Sequence, residues 1–182
     1  MTIAPLAKWP NVPACYHWLS LDRRGDWRLQ GERVTHRGLI DFINRHYTCD
    51  EAGRWFLQNG PQRVFVRLAC TPWVFHRVDG GFVSHTGAAA GPVREILLDD
   101  DGNILLASEL GIGLLDDRDL AQFLAECCAA NGQAATEESL FDLMGERQST
   151  VFWQQHRLQA IAAADVAARY GFVVDPQPQG AV

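Results

Sequence analysis

One pattern, a strand, a tight acidic turn, a returning strand and a capped helix, is written twice in this chain, and a chain that repeats a unit must bury two similar apolar faces. In the first copy residues 16–21 read as a strand, Asp22-Arg23-Arg24-Gly25 as a turn and Trp27-Arg28-Leu29 as the return. Asp22 opens the reversal and Gly25 supplies the positive φ that a tight turn often needs. Thr35 stands where an N-cap belongs, because its hydroxyl can accept from the free amides of the following turn. Leu39, Phe42, Ile43, His46 and Tyr47 then follow at i, i+3, i+4, i+7 and i+8, one stripe of a 3.6-residue period. That stripe must be covered, which makes His46 a core histidine in this reading.

In the second copy the strand is 95–98, the turn Asp99-Asp100-Asp101-Gly102 and the return 103–106. Laying Gly102 on Gly25 puts Ile104 on Trp27 and Leu106 on Leu29. With four extra residues allowed, Asp116 falls on Thr35, and Leu120, Phe123, Leu124, Cys127 and Cys128 fall on the first stripe. The recurrence predicts an internal duplication.

The rest of the chain fills in around these copies. Residues 54–57 and 63–70 suggest one hairpin, 73–78 and 82–85 another, and 86–92 a small-residue connector. Thr136 is placed to cap a helix ending near Met144, 149–155 carries a β-rich run, and 161–170 is alanine-rich with Asp165 and Arg169 at i, i+4. An edge strand at 172–174 and a tail over 176–182 complete the reading. The expected fold class is α+β, two related hairpin-helix modules whose antiparallel sheets pack against helices. The expected domains are 1–90 and a diverged second copy with a C-terminal helix and tail over 91–182.

Charge and thiols narrow the function. With 16 Lys and Arg against 22 Asp and Glu, the net charge of −6 repels phosphate backbones and anionic membranes, and the basic residues are scattered. General nucleic-acid binding is therefore not expected. Five cysteines with no regular spacing, two of them adjacent, read as reduced thiols of a cytoplasmic protein. Residues 1–20 hold Lys8 and three prolines where a signal peptide needs an apolar run, and no window reaches the roughly 18 apolar residues of a membrane span.

The succession Gly25-x-Trp27, Gly31, the stripe 39–47, the acidic turn with Gly53 and Arg63-Val64-Phe65-Val66 resembles the bacterial domain-of-unknown-function family 1285 over residues 18–75. The resemblance implies an α+β fold with repeated structural motifs and a part in signal transduction. It carries over no catalytic residues. The sequence departs from the family after the second hairpin, where Thr71-Pro72-Trp73 follows.

No catalytic or metal signature emerges. Cys15-x-His17 and His46-x-x-Cys49 each lack the second pair of a closed zinc site. In Asp99-Asp100-Asp101-Gly102 the calcium-loop pattern would put Leu97 first and Ser108 twelfth, so a turn is the reading. Gly80-Gly81 precedes no Lys-Ser/Thr. Cys127 and Cys128 sit near a helix C-terminus and Cys70 on an apolar face, settings that disfavour thiolate. Trp27 and Trp55 read as core, and Trp9 and Trp73, near prolines, as exposed.

The preferred reading is a noncatalytic ligand-binding or regulatory protein, with no cofactor and no metal. Its partner is a small molecule or another protein, held in a groove between the modules by Arg67, His76, His85 and Thr86. Homo-oligomerisation is left open. The rivals are a small enzyme using Cys15, His17 or His36, and a structural subunit of a complex.

Overall fold

The computed structural model describes residues 9–145 and 149–178. Lys8 and the opening residues of the leader reading lie outside these, as do 179–182 of the expected tail. The chain divides into two compact units, each built on one sheet.

The first unit comprises 26–70 with the described parts of 9–22 and 171–178. Its elements are β1 (Ala14–Leu21), β2 (Trp27–Leu29), β3 (Glu32–Arg33), α1 (Arg37–His46), β4 (Tyr47–Cys49), β5 (Trp55–Asn59) and β6 (Gln62–Leu68). The strands lie in the order β3-β2-β1-β6-β5-β4, with β1 and β6 parallel and every other pair antiparallel. The long excursion from β1 through α1 brings the chain back to the end of the sheet it left, which a parallel pair requires. Leu19, Leu21, Ile43, Leu57, Val64, Val66 and Leu68 fill the core. Trp27 is buried among them, its ring edge-on to Tyr47 at 5.0 Å and its Nε1 donating to Asn44 Oδ1 at 2.7 Å, so its polar atom is satisfied.

The second unit comprises 23–25 and 71–170. It contains β7 (Trp73–Val78), β8 (Gly81–Ser84), β9 (Val93–Asp99), β10 (Ile104–Ser108), β11 (Ile112–Leu115), α2 (Asp117–Ala125), β12 (Cys127–Ala129), α3 (Glu137–Met144), β13 (Val151–Trp153), β14 (His156–Ile161) and α4 (Val166–Tyr170), the last entered through a 3-10 turn at Ala163–Asp165. The strand order is β12-β13-β14-β9-β10-β11-β7-β8, with β9/β14 and β11/β7 parallel. Asp116 caps α2 by accepting from the Arg118 amide, and Thr136 and Ser139 cap α3 reciprocally.

The α+β expectation is thereby corrected. The protein is mostly β, two large mixed sheets with four short α-helices among the described residues, and its sheets are not antiparallel hairpins roofed by helices. The physical reason is the length of the helices. At ten, nine, eight and five residues they bury little: Leu39 and Ile43 from α1, Phe123 from α2, Leu143 from α3 and Val166 from α4. The strands supply the core. Both helical stripes also end early, because Tyr47 and Cys127 open strands instead of closing helices. His46 is consequently exposed, contrary to the core role expected of it.

Candidate functional site

The eight-stranded sheet curls. Phe82 on β8 and Trp153 on β13, strands near opposite ends of the order, bring their rings to 5.7 Å. Between these ends opens a cleft of ≈ 680 Å³, lined among others by Arg77, Phe82, Pro92, Trp153, Gln154 and His156, with Val78 half exposed at its rim. Two tight turns contribute to its lining. Val78 pairs with Gly81, leaving Asp79-Gly80 as a two-residue turn in which Gly80 takes φ +81°. Trp153 pairs with His156, leaving Gln154-Gln155 between β13 and β14.

Glu126, just past α2, fixes two of the lining side chains together. Its Oε1 accepts from Arg77 Nη2 at 2.7 Å and its Oε2 from Trp153 Nε1 at 2.9 Å. The Arg77 hydrogen bond foremost, with that of Trp153 and against the effect of burial, holds the Glu126 carboxyl below its ordinary range. The indole is further fixed by stacking on the fully buried Phe123, with centroids 5.1 Å apart and planes at 15°. The backbone amide of Arg77 donates to Asp119 Oδ2 at 2.9 Å. Nη1 of Arg77 is buried and, among the described residues, meets no acceptor. A guanidinium beside an oriented aromatic plane is equipped to bind an acceptor-bearing flat molecule.

A second polar cluster lies at the start of α2. The buried Asp116 carboxylate accepts from the Arg118 amide, Nε and Nη2 at 2.7–2.8 Å, and His76 Nδ1 stands 3.3 Å from its Oδ2. Burial alone would raise this carboxyl, but the Arg118 hydrogen bonds and the charges of Arg118 and His76 outweigh it and hold the pKa at about 2.

Of the positions expected to bind ligand, three fall close together in this unit. His76 belongs to the Asp116 cluster. His85 accepts from the Val74 amide through Nδ1 at 3.3 Å, and burial, helped by the neighbouring His76 charge, drives its pKa down to about 3, so it is neutral. Thr86 Oγ1 lies 2.9 Å from Ser84 Oγ. None of the three lines the cleft. Arg67 belongs to the other unit, where its largely exposed guanidinium lies 4.0 Å from Asp175, which also stands 3.8 Å from His17 Nδ1.

Cys15 and His36, two of the three residues proposed for the enzyme alternative, have other occupations, and Cys127, set aside at the outset, is no better placed. Cys15 is buried, and burial raises its thiol. Cys127 is pushed up to about 12 by burial and by its Cys128 and Glu126 neighbours. His36 caps α1, its Nδ1 accepting from the Leu39 amide at 3.3 Å, the role expected of Thr35. Among the described residues no group of three or more His, Cys, Asp or Glu is arranged to hold a metal ion, and no helix is long and apolar enough to cross a membrane.

Sequence reasoning missed Arg77, Glu126, Trp153 and Gln154. Trp153 sits in a run read correctly as strand. Its partnership with Phe82, 71 positions earlier, depends on how far an eight-stranded sheet curls, which no local pattern announces.

The profile of the family described as "Protein of unknown function (DUF2946)" matches residues 1–177. No curated protein matches the chain. Two solved structures resemble it, both DUF1285 family proteins, the family named above on residues 18–75. The protein from Silicibacter pomeroyi DSS-3 is 14% identical, with a TM-score of 0.48 over 68% of this chain and 78% of that one. The protein from Shewanella baltica OS155 is 18% identical, with a TM-score of 0.45 over 58% of this chain and 89% of that one.

Proposed function

The chain belongs to the DUF2946 family of proteins of unknown function, so its role has to be sought in the site itself, and we propose that it binds a small molecule in the cleft of the eight-stranded sheet. The ligand has a flat apolar body and an anionic group. One observation carries this reading: Glu126 holds Arg77 and Trp153 at once, so a cation and an aromatic plane are presented to the cleft in fixed orientation before any ligand arrives. Preorganisation of this kind lowers the entropy lost on binding. Phe82, Pro92 and Val78 extend the apolar wall, and the Arg77 guanidinium favours a carboxylate or similar acceptor over a second cation.

Binding without chemistry is favoured by the state of the thiols, since Cys15, Cys49 and Cys127 are all raised. Five free cysteines are in keeping with a reducing compartment, and we place the protein in the cytoplasm on that ground. We also take the two sheets to descend from one duplicated unit. The order β3-β2-β1-β6-β5-β4 recurs as β11-β10-β9-β14-β13-β12, with the central pair parallel in both.

Calorimetric titration with 2-naphthoate, a flat aryl carboxylate, tests the reading. Saturable binding of about one equivalent is expected, weakened about tenfold or more by Arg77→Gln and by Trp153→Phe, each tenfold being about 1.4 kcal/mol. Octanoate, anionic but not flat, should bind more weakly. Absence of saturable naphthoate binding, or equal binding by all three proteins, would overturn it.

A further inference from the structure

Two turns that occupy the same place in the two sheets are built from different residues. Between β5 and β6, Asn59 pairs with Gln62 and leaves Gly60-Pro61; between β13 and β14, Trp153 pairs with His156 and leaves Gln154-Gln155. The first residue of each takes a positive φ, 57° at Gly60 and 52° at Gln154. Glycine adopts that conformation without a Cβ penalty, whereas a residue with a side chain does so at a cost. The glycine solution is thus available to this turn and used by its counterpart. It is not used at the one of the two turns that lines the cleft.

We infer that Gln154 is a specificity-determining residue of the cleft, its side-chain amide reading a paired donor and acceptor edge, such as a lactam or ring amide, on the same flat anionic ligand that Arg77 and Trp153 receive. The inference rests on the cleft being a binding site. A primary amide offers two donors and an acceptor within one plane, so it can match such an edge with two hydrogen bonds. Aspartate, glutamate or lysine at this position would supply only one half of that pattern. The side chain is exposed at the mouth of the cleft, so no packing role requires it there.

The experiment compares two probes of similar size on the full chain, 2-naphthoate and 2-oxo-1,2-dihydroquinoline-4-carboxylate, the second adding a lactam edge. The wild-type protein should bind the quinolone acid about three- to tenfold more tightly, the range of one net hydrogen bond. Gln154→Gly should erase that preference, read as the ratio of the two affinities within the same variant, and Gln154→Asn, whose residue tolerates the left-handed region, should retain most of it. If the wild type binds naphthoate but shows no preference, or if Gln154→Gly keeps the preference, the role of Gln154 is refuted and the cleft stands. If neither probe binds the wild type, the cleft reading fails and takes this inference with it.

Discussion

The six-stranded sheet and the matching six strands of the larger sheet share their order and their parallel centre, yet the larger runs on into two further strands, β7 and β8, that line a cleft. In the smaller sheet the order ends at β3, two exposed residues long. In the larger the corresponding strand β11 is wholly buried, because β7 pairs with it and β8 with β7. Twist accumulates with each added strand. Two more strands bring β8 round to β13, and the cleft is what remains between them. The tryptophans make the same point. Trp27 donates to Asn44, a neutral partner inside a core, whereas Trp153 donates to Glu126, a carboxylate shared with a cation at a surface opening. One arrangement only satisfies a buried indole; the other also ties an indole to a cation in the lining of the cleft.

The largest test of this comparison is at its hydrophobic anchors. Phe123 and Ile43 are both fully buried, each four residues before the residue that opens the next strand, Cys127 and Tyr47. Phe123→Ala should cost about 3–5 kcal/mol and Ile43→Ala about 2–5 kcal/mol in chemical denaturation. Phe123→Ala should also broaden the near-ultraviolet signal of Trp153, which loses its stacking partner. A cost below about 1 kcal/mol at either position would show that the two helices do not anchor their sheets alike.

A second comparison sets two turn glycines against each other. At Gly53, φ +74°, an added Cβ would lie 2.1 Å from the Gly171 carbonyl oxygen, so alanine meets both strain and a backbone clash. At Gly80, φ +81°, nothing lies within 4 Å. Gly53→Ala should therefore cost about 1–3 kcal/mol more than Gly80→Ala, whose penalty is the conformational one of about 1–2 kcal/mol alone. Equal thermal shifts would mean that the segment at 171 yields without resistance.

The helix caps differ in charge, and acid should reveal it. Asp116 has a folded pKa of about 2 against an ordinary 3.8. A depressed carboxyl stabilises the fold above its unfolded pKa, and that contribution disappears as pH falls from about 4 through about 2. The shift corresponds to about 2 kcal/mol. Asp116→Asn should flatten the stability profile between pH 4 and 2 and lower stability at pH 7, while His36→Asn at the other cap should leave the acid limb as it is. An unchanged acid limb in Asp116→Asn would put the sensitivity elsewhere.

What the sequence revealed follows from which forces are local. Turns at Asp22–Gly25 and Asp99–Gly102, the Asp116 and Thr136 caps and the strand cores were legible because glycine conformation, capping and alternation act within a few residues. Across those turns Leu21 pairs with Trp27 and Leu98 with Ile104. The helical stripes misled by one position: burial aligns Phe123 with Ile43 and not with Phe42. The fold class went wrong because β3, β4, β12 and β14 are short or irregular in pattern, and because parallel pairing of β1 with β6 is decided across dozens of residues. The cleft was illegible for the same reason, its walls Phe82 and Trp153 being joined only by the curl of the sheet.

The smallest expected effect separates a strained residue that is useful from one that is only tolerated. His17, in the bulge of β1, takes φ 62°, and Gln154 takes φ 52°. Glycine at such a site removes about 1–2 kcal/mol of steric cost and adds about 0.5–1 kcal/mol of unfolded-chain entropy. Gln154→Gly should therefore gain about 0.5–1 kcal/mol. His17→Gly should come out near zero, because it also gives up the polar contact of His17 with Asp175, a half-exposed contact at 3.8 Å worth at most about 1 kcal/mol. The readout is the denaturation midpoint of the two variants side by side. A Gln154→Gly protein more stable than wild type would show that its side chain opposes folding and must be kept for another reason, whereas a destabilised one would make that side chain structural and leave the two turns equivalent.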